Sequence, residues 1–162
     1  MLEKLFKPDG KMLTTMVVGR PGSGKSYFLG KTITSFCKSS EDENYRLVYV
    51  CPKHEMTLMG EKPIPVERLE KHLRKNQVAV VYPDPHWVEG EVEYVIDLLF
   101  AIKQVNPDFS ATIVVDDAQT FLSSRRQASP QFRRLALTGR SKGLRFVAVS
   151  HSMIFNKDLE GS

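Results

Sequence analysis

Cysteine is scarce in this sequence: Cys37 and Cys51 are the two thiols among 162 residues. They have no CxxC spacing and no neighbouring histidine pattern, so neither a disulfide framework nor a zinc site organises the chain. Both read as reduced core thiols. Long hydrophobic runs are missing too, since no apolar stretch approaches the roughly 18 residues that cross a bilayer. The start, Met1-Leu2-Glu3-Lys4-Leu5-Phe6, lacks the apolar run of a secretory signal. The expectation is therefore a protein that is not secreted, held inside a cell or packaged in a particle, with no transmembrane segment. Internal repeats, linkers and low-complexity blocks are also lacking. With 41% hydrophobic and 26% charged residues, 10 Gly and 9 Pro, disorder and collagen-like repeats are excluded. The length fits a single domain over residues 1–162.

One stretch lacks a whole class of charge. Net charge is a mild +4, but residues 118–157 hold no carboxylate at all. Arg125, Arg126, Arg133, Arg134, Arg140, Lys142, Arg145 and Lys157 give that stretch a charge of +8, against −2 for residues 1–117 and −2 for residues 158–162. Two readings stand side by side: a solvated basic face, or a surface for a polyanion.

What is present alternates strand with helix, the pattern of a parallel sheet covered by helices. Met12–Val18 reads as a buried first strand ending at Gly19. Phe28, Leu29, Thr32, Ile33 and Phe36 share one face of a helix from Lys25 to about Cys37. Leu47–Cys51 is a second strand, residues 52–65 a loop, and Val66–Lys75 a possible helix. Val78–Tyr82 is a third strand, and the apolar spacing from Val92 to Val105 predicts a helix over residues 88–105. Ala111–Val115 and Arg145–Val149 are strands four and five. Between them Ser129-Pro130 caps and starts a helix that Gly139 stops.

Three polar segments sit at the ends of these strands. Gly19-Arg20-Pro21-Gly22-Ser23-Gly24-Lys25-Ser26 fits G-x-x-x-x-G-K-[ST] in full, between a strand and a helix as that motif requires. Its glycines let successive N–H groups and the helix N-terminus face phosphates. Lys25 supplies charge to the β- and γ-phosphates and Ser26 a hydroxyl for Mg²⁺. The expected nucleotide contacts run from Gly19 to Tyr27. Second, Ile113-Val114-Val115 runs into Asp116-Asp117. Asp116 is expected to position Mg²⁺ and Asp117 to orient or deprotonate the attacking water. Two apolar strands intervene in sequence, which suits a sheet with an inserted strand between the two motifs and favours hydrolysing motors over most small kinases. Third, strand five ends in Ser150-His151-Ser152, which a parallel sheet aims at the same crevice. Ser150 or His151 is either a sensor of γ-phosphate or water, or a simple cap. Arg140, just after the helix stop, is either a surface arginine or a finger acting on a neighbouring subunit's nucleotide.

From Ala111 to Ser152 the order is a strand ending in two acids, Ala118-Gln119, a basic helix, Gly139-Arg140 with Gly143, and a strand with a polar tip. With the phosphate loop, this resembles the FtsK-HerA branch of P-loop ATPases, and within it the genome-packaging ATPases of membrane-containing double-stranded DNA viruses. The resemblance spans about residues 12–155. It implies an α/β P-loop NTPase fold (RecA/ASCE-like): a mostly parallel central sheet in a three-layer α/β/α arrangement. It also implies ATP with Mg²⁺, a hexameric ring of this chain, and double-stranded DNA bound without sequence preference in its channel. Capsid or membrane-vertex proteins are implied partners, and host cytoplasm or the virion's packaging vertex the location. It assigns Lys25 and Ser26 to phosphate and magnesium, Asp116 to magnesium, Asp117 to water, His151 to the sensor and Arg140 to the finger. Arg125, Arg126, Arg133 and Arg134 are the expected DNA contacts, through phosphates. Phe121 and Leu122 read as core contacts. Two positions depart from the pattern: Asp117 stands where Glu is usual, and His151 where Gln is usual.

Other classes compete. Filamentous-phage assembly ATPases of the zonular-occludens-toxin type share the core but usually carry a transmembrane segment. Thymidine kinase has a similar loop and a strand end like Asp117-Ala118-Gln119-Thr120-Phe121, but is expected to carry four zinc-binding cysteines. A non-hydrolysing, nucleotide-gated structural subunit is the third.

Overall fold

The computed structural model describes residues 14–53, 56–120 and 128–151. Five parallel strands form one sheet: β1 (Thr14–Val18), β2 (Tyr45–Val50), β3 (Val78–Val81), β4 (Ser110–Val115) and β5 (Leu144–Ser150), in the order β1-β5-β4-β2-β3. Four α-helices connect them: α1 (Lys25–Ser39), α2 (Leu69–Leu73), α3 (Val88–Val105) and α4 (Pro130–Thr138).

Strand side chains alternate between two cores, as the period of two in an extended chain demands. Tyr45, Leu47 and Tyr49 of β2, with Val147 and Val149 of β5, face α1 through Leu29, Ile33 and Phe36. Val48 and Val50, with Phe146 and Ala148, point the other way against Leu69, Leu99 and Leu135 of α2, α3 and α4. Both faces are covered, which is why these strands read as continuous apolar runs. The result is the three-layer α/β/α arrangement.

The inserted strand is β5. It pairs with β1 on one side and β4 on the other, so it separates the phosphate loop from the acidic pair. The two strands that intervene in sequence, β2 and β3, lie beyond β4. All C-terminal strand ends point one way, and the crevice they share is where a doubly wound sheet binds its ligand.

Several elements differ at their ends from expectation. α1 runs to Ser39, two residues past Cys37. Residues 66–75 form a 3-10 turn, Val66–Arg68, that runs directly into a short α2, with Val66, Leu69 and Leu73 buried. Within the 52–65 loop, Leu58 bridges Glu61, and Ile64 bridges Val81 of β3. α4 matches its expected limits: the Ser129 hydroxyl accepts from the Phe132 N–H at 3.4 Å, and Pro130 takes the first turn. Cys37 and Cys51 are both free and buried. Phe121 and Leu122 lie outside the described residues.

Candidate nucleotide site

The first strand ends at Gly19, and its N–H donates to the Ser150 carbonyl at 3.2 Å, tying the start of the loop to the end of β5. A turn closed by Ser23 N–H on the Arg20 carbonyl (3.1 Å) leads into α1. Gly24 precedes the helix at φ +81°, a left-handed conformation that strains any residue with a Cβ. No side chain caps α1 and its first turn holds no acid. The N–H groups and the positive end of the helix dipole are thus left for an anion, with Pro21, Gly22, Ser23 and Gly24 exposed around them.

Lys25 folds back over its own loop. Its ammonium donates to the carbonyls of Gly19 (2.7 Å) and Arg20 (3.0 Å) and lies 3.3 Å from His151 Nδ1. All three of its hydrogens therefore have acceptors within the chain. A phosphate at the loop competes for them.

On the other side of β5, Asp116 and Asp117 are both buried. Asp116 Oδ2 accepts from Ser26 Oγ and from the Tyr49 phenol, each at 3.2 Å, while Oδ1 accepts from the Asp117 N–H at 2.9 Å. Burial, with the charge of Asp116 beside it, pushes the Tyr49 phenol far above its ordinary range, so it remains a donor. The hydroxyl and carboxylate of Ser26 and Asp116 are hard oxygens one hydrogen bond apart. Mg²⁺ favours such a set: one carboxylate and one hydroxyl from the protein, with water and phosphate supplying the rest. No cluster of three or more histidine, cysteine, aspartate or glutamate side chains that could hold a metal occurs among the described residues.

Asp117 has φ +53°, a conformation that Asp and Asn tolerate better than most residues. Its carboxylate is held on both sides. Oδ1 lies 2.8 Å from His151 Nε2 and accepts from the Gln119 amide at 3.3 Å; Oδ2 lies 2.7 Å from Lys53 Nζ. Burial works against the charge of Asp117, but hydrogen bonds from Lys53 and Gln119 outweigh it and hold the carboxyl below its usual range. The same bond raises Lys53. Because Lys25 donates to Nδ1, the His151 hydrogen that suits this network sits on Nε2, pointing at Asp117. The His151 N–H in turn donates to Gln119 Oε1 at 3.3 Å.

Lys25, Ser26, Asp116, Asp117 and His151 thus meet in one place, on the wall of an open cavity of about 1110 Å³ that runs from the phosphate loop along α1. Tyr27 borders it with an exposed ring, over which Lys31 Nζ sits at 4.8 Å. Ser150 is fully buried and meets the site through its carbonyl. Lys53, Tyr49 and Gln119 belong to the site without having been assigned a role in the sequence. Lys53 carried a signal: it follows the end of a buried strand, and all such ends face the crevice.

Arg140 is elsewhere. It lies in the 3-10 turn Arg140–Lys142 that leads into the N-terminal end of β5, whereas the phosphate loop follows the C-terminal end of β1. The seven residues of β5 put roughly 20 Å between those ends, so Arg140 does not serve the nucleotide of its own chain. Arg134 lies across the Phe100 ring at 4.0 Å and 3.7 Å from Asp97. Arg133 is half-buried on the same helix, and Arg145 is buried within β5. Arg134, Arg140 and Lys142 are exposed. Arg125 and Arg126 lie outside the described residues.

No protein-family model and no curated protein matches the sequence. Solved structures do. The genome-packaging NTPase B204 of Sulfolobus turreted icosahedral virus 2, in complex with AMPPCP, is 17% identical over 94% of this chain and 70% of its own, with TM-score 0.65. The N-terminal domain of zonular occludens toxin from Neisseria meningitidis is 18% identical over 91% and 72%, with TM-score 0.51. EssC ATPases 2 and 3 from Geobacillus thermodenitrificans are 11% identical over 94% and 30%, with TM-score 0.57. The chain has the α/β fold of P-loop NTPases; it spans about two thirds of the packaging NTPase chains and under a third of EssC.

Proposed function

We propose that this chain is an ATPase that moves double-stranded DNA into a viral capsid, working as a ring of copies of itself. The observation that carries the nucleotide reading is the convergence of Lys25, Ser26, Asp116, Asp117 and His151 from three separate strand ends. In this reading the loop from Gly19 to Tyr27 holds the phosphates, with Lys25 turning from its own carbonyls to the β- and γ-phosphates. Ser26 and Asp116 hold Mg²⁺, which offsets charge on the phosphate oxygens, and Tyr49 fixes the carboxylate that does so. Asp117 accepts the proton of the attacking water, and His151, anchored by Gln119, aligns it. Arg140 acts on the neighbouring copy's nucleotide, which its distance from its own loop allows. Arg125, Arg126, Arg133 and Arg134 contact DNA phosphates. DNA packaging is supported by the likeness to B204, which is described as a genome-packaging NTPase.

Phosphate release from ATP tests the reading, measured with Mg²⁺, with and without double-stranded DNA, and with added nucleosides. The expected result is Mg²⁺-dependent release that DNA stimulates. Release of ADP only when a nucleoside acceptor is present overturns it in favour of a kinase.

A further inference from the structure

Lys53 is the charged group of the site that the proposed mechanism leaves without a task. It follows β2, which lies beside β4 in the sheet, so the β2 end brings it next to the acidic pair. Its ammonium sits 2.7 Å from Asp117 Oδ2, yet its side chain is 56% exposed while that of Asp117 is 10% exposed. Lys53 therefore reaches Asp117 from the solvent side, on the wall of the same cavity that Lys25, Ser26 and His151 line.

That placement has two consequences. His151 and Gln119 take both acceptor sites of Asp117 Oδ1, and Lys53 takes one of the two on Oδ2, so a water at Asp117 meets a carboxylate already paired with a cation. The terminal phosphate of a bound triphosphate enters the cavity beside Asp117 and brings a second anion to it. Two anions at close range in a partly buried site repel strongly unless a cation lies between them. Lys53 is a half-exposed cation at that position, on a long stem, and no other described lysine or arginine is paired with Asp117.

We infer that Lys53 is a positioning residue that distinguishes triphosphate from diphosphate: it pairs with Asp117 until a terminal phosphate draws its ammonium away and leaves the carboxylate to the water. The inference rests on the nucleotide reading above. A diphosphate, which stops at the phosphate loop, leaves the Lys53–Asp117 pair intact. The device couples occupancy by ATP to release of the base from its cation, so that Asp117 stays paired whenever there is nothing to hydrolyse.

Equilibrium binding of AMPPCP and of ADP, both with Mg²⁺, tests this by calorimetry on the full chain and on Lys53→Met, Lys53→Arg, Asp117→Asn and the Lys53→Met/Asp117→Asn pair. Losing a charge-assisted bond to the terminal phosphate corresponds to about tenfold or more, so Lys53→Met weakens AMPPCP by about that factor and leaves ADP within about twofold. Lys53→Arg restores most of the difference. Asp117→Asn frees Lys53 and tightens AMPPCP, and this gain disappears when Lys53 is Met, a coupling that a double-mutant cycle isolates. Equal effects of Lys53→Met on both nucleotides, no effect on either, or a gain from Asp117→Asn that persists without Lys53 overturns the inference. Failure of the unaltered chain to bind AMPPCP or ADP overturns the nucleotide reading itself, and the inference with it.

Discussion

At the scale of single residues, the site is a chain of donors and acceptors whose members constrain one another. Tyr49 is the clearest case of an indirect contributor, since its phenol touches Asp116 and no expected substrate atom. Tyr49→Phe removes that bond and keeps the ring in the core. We expect stability to fall by only about 1 kcal/mol in a denaturant titration. The Mg²⁺ concentration that half-activates phosphate release should rise up to about tenfold, as when a partner of a metal-binding carboxylate is lost. An unchanged Mg²⁺ requirement assigns Tyr49 to packing alone. Much of this site was legible in the sequence, because Lys25, Ser26, Asp116 and Asp117 occur in motifs whose spacing and strand context carry their chemistry. His151 was legible as a strand tip. Tyr49 and Lys53 were not assigned, since both reach the acidic pair across the β2–β4 ladder, and pairing between strands distant in sequence leaves no local signal.

At the scale of elements, turns and caps decide where the pieces meet. Gly139 ends α4, and a Cβ there lies 2.5 Å from the Leu135 carbonyl oxygen and 3.0 Å from that of Leu144. Both atoms are backbone, so neither can rotate away. Gly139→Ala should therefore cost about 1–3 kcal/mol, the usual result of overpacking, and lower the midpoint of thermal unfolding by several degrees. An unchanged midpoint means that α4 and β5 can separate at no cost. The same turn carries Arg140, so its geometry sets where that side chain points. The limits of α3 and α4 followed from apolar spacing, Ser129, Pro130 and Gly139. The change from 3-10 turn to α-helix within residues 66–75 did not, because Val66, Leu69 and Leu73 all reach the core and their spacing is equally that of one continuous helix. The position of β5 between β1 and β4 was likewise invisible, though the separation itself was expected.

At the scale of the whole molecule, the chain supplies a nucleotide site at one end of its sheet and Arg140 at the other. In the proposed reading, a second copy completes this arrangement by bringing its Arg140 to the first copy's phosphate loop. Lys25→Ala and Arg140→Ala chains should each be inactive alone, and a mixture of the two should regain phosphate release at the interfaces that pair an intact loop with an intact arginine. A mixture that stays inactive removes Arg140 from the mechanism. The basic stretch belongs to this scale as well. Of its described members Arg134, Arg140 and Lys142 are exposed and Arg145 is buried, so Arg145 adds nothing to the surface that the DNA reading needs. The central claim, that the convergent strand ends form a hydrolysing site, is tested most directly by measuring ATP binding and phosphate release on the same samples of the unaltered chain, Lys25→Ala and Asp117→Asn. The account predicts that the unaltered chain binds and hydrolyses, that Lys25→Ala loses both, and that Asp117→Asn binds at least as tightly while release falls by about a hundredfold or more, the scale of a lost general base. Release that survives Asp117→Asn, or ATP binding that survives Lys25→Ala undiminished, contradicts it.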